Sequence, residues 1–153
     1  MAADVRRSYL LNLQSYTGKV GGVKDFKQGE RIFKDLITHY YKTGRGFTTG
    51  NYFTSVELAN FLFEKGVTLT GTHRRDNRSI PHKLLKKPQR EFSSEFCFHK
   101  DVTLLAYAPK KNRVVHLLST EFHDSSLEEN YKKGLKKFYI TTVQKAGLIM
   151  EIE

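Results

Sequence analysis

The stretch Gly46-Phe47-Thr48-Thr49-Gly50-Asn51-Tyr52-Phe53-Thr54-Ser55-Val56-Glu57-Leu58-Ala59-Asn60-Phe61-Leu62-Phe63-Glu64-Lys65-Gly66-Val67-Thr68-Leu69-Thr70-Gly71-Thr72 reads as strand, helix and strand in turn. Residues 46–49 are a short strand, weakened by the glycines at 46 and 50. Thr54 followed by Glu57 has the spacing of a capping box, in which side chains satisfy the amides of a first helical turn. Val56, Ala59, Leu62 and Phe63 then supply an inner helical face, and Gly66 ends it. Residues 67–72 are β-rich and close on the turn-forming Gly71. This order predicts a mixed α/β domain.

Upstream, residues 31–42 carry Ile32, Phe33, Leu36, Ile37, Tyr40 and Tyr41 at the spacing of one buried helical face, with Gly44 as the stop. Residues 9–16 alternate as a strand, and Thr17-Gly18-Lys19 with Gly21-Gly22 mark a loop. Downstream, residues 73–90 hold Arg74, Arg75, Arg78, Lys83, Lys86, Lys87 and Arg90 against one acid, Asp76, and Pro81 and Pro88 make the segment mostly loop. Residues 96–99, 102–107 and 113–119 read as three strands, the last two joined by a turn at Pro109-Lys110-Lys111-Asn112. From Glu121 the chain is polar, and residues 138–153 show no recognisable pattern.

The 153 residues suit one domain, and a 39% hydrophobic content with 11 Phe and 8 Tyr is enough for a core. The formal charge of +10 favours polyanionic partners, because neutralised phosphates release counterions. Cys97 stands alone, so no intrachain disulfide forms. Neither an apolar run of membrane-spanning length nor a secretory leader is present, which predicts an intracellular protein without membrane contact.

Several segments together resemble the transposase domain of the piggyBac family. Asn51-Tyr52-Phe53-Thr54-Ser55 with Leu58 and Ala59 is similar to the family's Asp-Asn-(Trp/Tyr)-Phe-Thr-Ser segment. Gly71-Thr72-His73-Arg74 with Arg78, Ile80 and Pro81 resembles its Gly-Thr-x-Arg…Ile-Pro stretch. Tyr16-Thr17-Gly18-Lys19, Phe96, the run 100–107, Lys110 and His116-Leu117-Leu118-Ser119-Thr120 resemble further family segments in the family's order. The resemblance covers residues 3–137 and leaves 138–153 as a divergent tail, consistent with a reading-frame change ahead of the last motif.

The resemblance implies a partial RNase H-like mixed sheet with flanking helices and an antiparallel hairpin insertion region. It also implies an ancestral chemistry, phosphodiester cleavage and strand transfer by two Mg²⁺ or Mn²⁺ ions held by three aspartates. Such ions need clustered carboxylate oxygens. Transferred one at a time, the first aspartate position is Asp4, the second is Gly50, and the third falls in Thr141-Thr142-Val143-Gln144-Lys145-Ala146-Gly147-Leu148-Ile149-Met150, which has no aspartate. Asp4 is then a vestigial, weak metal ligand, and the departures imply that catalysis and the ancestral metal site are lost. Asp25 and Asp35 read as solvated surface charge, and Glu151 and Glu153 lie in the divergent tail.

The chain begins just before Asp4, so the first strand of the sheet is expected to be missing and its neighbours to expose an edge. The basic loop, Arg74, Arg75, Arg78, Lys83, Lys86, Lys87 and Arg90, is the expected contact to DNA, weak and non-specific. His73, His82, His99, His116 and His123 lack metal-ligand spacing and read as structural or exposed; Cys97 reads as a packed thiol, and Phe96, Phe98 and Tyr107 as core. Expected partners are DNA and an intact piggyBac transposase, in the nucleus. Three other readings stay open: a domesticated non-catalytic DNA-binding or protein-interaction module, a nuclease in which another acid replaces Gly50, and a translation product without function.

Overall fold

A computed structural model describes residues 1–4, 9–15, 27–85, 90–121 and 150–152. Among these, eight strands and two α-helices follow in the order β1 (Ala2–Asp4), β2 (Leu10–Asn12), α1 (Gln28–Ile37), β3 (Gly46–Thr49), α2 (Val56–Glu64), β4 (Thr68–His73), β5 (Ser94–His99), β6 (Val102–Lys110), β7 (Arg113–Ser119) and β8 (Met150–Ile152). The strands form one mixed sheet ordered β2-β1-β8-β3-β4-β7-β6-β5. The predicted α/β order is therefore observed.

At its centre, β3 and β4 run parallel, with Gly46 opposite Thr68 and Thr49 opposite Gly71, and α2 forms the crossover between them. The antiparallel meander β5–β6–β7 attaches through β7, which pairs with β4 from Thr70↔Ser119 to His73↔His116. One apolar cluster joins both helices to the sheet: Phe33, Leu36 and Ile37 from α1, Leu58 and Leu62 from α2, and Phe47, Leu69, Leu104 and Leu118 from the strands. Phe33 meets Phe47 edge-on at 5.9 Å, the geometry that aligns one ring's positive edge with the other's negative face. A smaller cluster of Leu105 and Leu117 with Phe96, Tyr107 and Val115 occupies the meander.

Several local expectations shift for identifiable reasons. α1 starts three residues earlier than its apolar period and stops at Ile37, where a 3-10 turn (Thr38–Tyr40) takes over. The Thr38 hydroxyl donates to the Lys34 carbonyl at 2.7 Å, and the chain then reverses through Lys42 (φ 61°) and Gly44 (φ 69°). In α2 the cap is Ser55, not Thr54: Ser55 Oγ accepts from the Leu58 amide at 3.1 Å and donates to Glu30 Oε1 at 2.8 Å, tying the start of α2 to α1. Thr54 is buried instead, its hydroxyl 2.8 Å from that of Thr49 and 3.0 Å from the Gly50 carbonyl. With the phase set by Ser55, Leu58 enters the core and Phe63 stays 39% exposed. Ser55→Ala is expected to cost about 1 kcal/mol in a urea melt, whereas Thr54→Ser, which keeps the hydroxyl, should cost less than the cap.

Of the strand expected over 9–16, the described residues 9–15 form only Leu10–Asn12. The hairpin also differs, because β6 runs through Pro109 and Lys110, and the reversal is made by Lys111 and Asn112, the latter at φ 64°. The expected missing first strand is present: β1 pairs antiparallel with β2 and parallel with β8, so neither of its edges is bare. Three residues suffice because Ala2 is fully buried and both ladders satisfy its backbone. The strand on its second side comes from the patternless tail, since β8 lies between β1 and β3. The boundary placed between 137 and 138 lies outside the described residues.

Candidate functional site

The carboxyl ends of parallel strands are where α/β sheets gather ligands. Here β3 ends at Thr49, so Gly50 and Asn51 begin the loop to α2, while β4 delivers His73 and Arg74 at the same edge. Tyr52, half exposed at 50%, stands between them. Its hydroxyl donates to Gln28 Oε1 at 3.3 Å, and the Arg74 guanidinium lies over its ring at 5.8 Å. Gly29 makes this approach possible, because a Cβ there would meet the Tyr52 carbonyl at 2.7 Å.

Gly50 contributes only backbone. Its carbonyl accepts from the Thr54 hydroxyl at 3.0 Å and from the Phe53 amide at 3.1 Å, which fills both lone pairs and leaves none directed at a cation. Asp4 closes β1, its amide bonded to the Tyr9 carbonyl at 2.8 Å. Register separates the two positions. Asp4 is level with Ile152, and Ile152 with Phe47, so Gly50 lies three residues beyond Asp4's level and two strands away. At a spacing of ~4.8 Å per strand and ~3.3 Å per residue, their Cα atoms are roughly 14 Å apart. A divalent ion with ligands at 2.0–2.6 Å cannot span that. The described residues therefore do not bring these two positions to one ion, and among them no group of three His, Cys, Asp or Glu side chains is close enough to hold one. Of the remaining acids, Asp35 is exposed on α1 and pairs with Arg31 at 3.7 Å, while Asp25, Glu153 and the stretch 141–149 lie outside the described residues. Glu151 belongs to β8, opposite Ala3 and Thr48.

The basic segment has more structure than a loop. Asn77 Oδ1 accepts from both the amide and the hydroxyl of Ser79 at 3.0 Å, a local turn, and His82–Leu85 is a 3-10 turn. Ile80 and Leu84 are buried in the main core, which pins the segment at two points. Around these anchors Arg74, Arg75, Arg78 and Lys83 remain exposed, Arg75 donating to the Leu85 carbonyl at 3.3 Å. Arg90 is exposed ahead of β5, while Lys86 and Lys87 lie outside the described residues.

Two histidines support the segment from below. His73 and His116 are direct cross-strand partners, 5% and 3% exposed. A carbonyl only accepts, so the His116 Nε2–H donates to Leu84 O at 3.0 Å and the His73 Nδ1–H to Arg74 O at 3.0 Å. The His73 Nε2 faces Ser79 Oγ at 3.5 Å. Burial lowers the His73 pKa and His116 acts in the same direction, against the Arg74 carbonyl and the carboxylates of Glu57 and Asp76. These histidines are structural, as their spacing predicted, but their adjacency had no sequence signal. His82 and His99 are exposed, and His123 lies outside the described residues. Cys97 packs half-buried against the core as expected. Phe98 does not: it is 46% exposed, stacked on Phe96 at 6.1 Å on β5, the last strand of the sheet among the described residues.

This fold is that of a transposase domain. The sequence profile of the family described as Transposase IS4 matches residues 1–151, and the chain belongs to that family. The structure is also similar to piggyBac transposase, solved by cryo-electron microscopy in a synaptic complex with hairpin DNA, at 32% identity and a TM-score of 0.71 over 86% of this chain. The piggyBac resemblance read from the motifs is thus borne out, and the chain spans 28% of the length of that relative. No curated protein matches the chain. Among the described residues no helix is long and apolar enough to cross a membrane.

Proposed function

We propose that this piggyBac-derived domain, RNase H-like in its ancestry, has lost metal-dependent phosphodiester chemistry and binds the phosphate backbone of DNA through Arg74, Arg75, Arg78 and Lys83. The observation that carries the reading is the pairing of opposite features at one strand edge. Where metal chemistry needs a carboxylate, Gly50 offers a carbonyl already engaged by Thr54 and Phe53. Beside it, four cations project from a segment anchored by Ile80 and Leu84. Phosphate contacts of this kind position a protein on DNA without reading sequence. The cofactor set is therefore empty, the site of action is the nucleus, and an intact piggyBac transposase is the protein partner that shares the fold.

The test is a nicking and strand-transfer assay on duplex and hairpin DNA in Mg²⁺ and in Mn²⁺. No product is expected in either ion. Turnover that disappears in Asp4→Ala would overturn the non-catalytic part of the reading, and DNA affinity that is absent at 50 mM salt would overturn the binding part.

A further inference from the structure

The buried face of the basic segment carries an inference that rests on the DNA-binding reading only for its final consequence. His73 is buried at the β4–β7 pairing, and the hydrogen bonds of its ring and of its partner's ring go to that segment: Arg74 O, Ser79 Oγ and Leu84 O. The Cβ atoms of directly opposed cross-strand residues lie about 4.5–5.5 Å apart, so the two imidazoles share one small enclosed volume. We propose that this pair makes the segment proton-responsive: protonation of His73 favours lifting of residues 74–85 from β4 and β7, and so resets the contact of their cations with DNA.

The physical case is one of linkage. In the closed arrangement a charge on His73 is removed from water and faces the His116 ring across the strand pair. The groups around it are His116 on β7, Glu57 on α2, and Asp76 and Arg74 on the segment. The two carboxylates favour the charge, but burial outweighs them. Opening hydrates the ring and restores its ordinary affinity for a proton. The sign follows: a folded pKa below the free value means that closure is fully favoured above pH ~6.5, and is lost progressively as pH falls below it. Each unit by which closure lowers the pKa raises the open population about tenfold. The aliphatic anchors Ile80 and Leu84 oppose opening and keep the segment closed at neutral pH.

Hydrogen exchange read by mass spectrometry on the full chain tests this, with rates corrected for intrinsic pH dependence. Between pH 7.5 and 5.5, protection of the amides of Asn77, Ile80 and Leu84, each bonded within the segment, is expected to fall, by at most about tenfold for a free-state pKa of ~6.5, while β6 keeps its protection. His73→Asn with His116→Gln retains donors to Arg74 O and Leu84 O but removes the titrating ring, and its protection should be flat over the same range. Proton NMR of the wild-type His73 ring supplies a readout that needs no variant, with a midpoint below 6.5 expected to coincide with the loss of protection. A midpoint at or above 6.5, a flat wild-type profile, or simultaneous loss in β6 would overturn the proposal. Titration of a fluorescent 30-base-pair duplex at constant ionic strength separates the two ideas. If the segment opens as expected but no duplex binds at any pH, the DNA reading fails and the proton response stands.

Discussion

Reversing Arg74, Arg75, Arg78 and Lys83 to glutamate is expected to lower duplex affinity at least a hundredfold at 50 mM salt. It should also flatten the dependence of log K on log salt by roughly 3 to 4 units, because each phosphate contact contributes about 0.9 to that slope. The four side chains are exposed and project from a segment whose anchors, Ile80 and Leu84, are untouched by the change. The matched control is reversal of Lys100, Lys110, Lys111 and Arg113, which alters net charge equally at the exposed turns of the meander. That variant should lose no more than about fivefold, the part due to general attraction rather than contact. Fluorescence anisotropy across 50–200 mM salt gives both numbers. Equal losses in the two variants would show that net charge, not the segment beside Gly50, governs binding.

Gly71→Ala is expected to destabilise the domain by about 3 kcal/mol, read as a shift of about 1–2 M in the urea midpoint with unchanged slope. A Cβ at this position would lie 2.4 Å from the Thr54 hydroxyl, 2.6 Å from the Thr49 carbonyl and 2.6 Å from the Thr49 hydroxyl. One of these is backbone of β3, the parallel neighbour of β4, so relief requires the two central strands to part. Gly44 provides the contrast. It has open space around it and a φ of 69°, so alanine there meets only the left-handed backbone cost of about 1 kcal/mol. A Gly71→Ala loss no greater than that of Gly44→Ala would mean that the Thr49–Thr54 pair yields easily, and that the strand edge beside Gly50 is not rigidly built.

What sequence windows revealed were the short-range features. The strand–helix–strand core, the hairpin β6–β7 and the cation-rich segment follow from apolar period, turn residues and charge, each legible within about a dozen residues. Gly50 was equally legible, because the motif around Asn51-Tyr52-Phe53-Thr54-Ser55 marks its place without reference to any partner. The shift of the cap from Thr54 to Ser55 was not. Both residues have a hydroxyl, and the choice fell to burial of Thr54 against Thr49 and to Glu30 on α1.

The sequence alone determined the family, the α/β order and the glycine at position 50. Tertiary structure decided the remainder: that Ala2–Asp4 is a paired strand, that Met150–Ile152 joins the same sheet, that Asp4 and Gly50 stand at different levels, and that His73 meets His116. The reason is physical. Caps, turns and periodicity are fixed by the energies of neighbouring residues, whereas strand register is chosen by backbone ladders between segments distant in the chain. The cations of residues 74–83 are visible in any reading of the chain. What holds them in place is Ile80 and Leu84 in the core, together with hydrogen bonds from two imidazoles that only the β4–β7 register brings together.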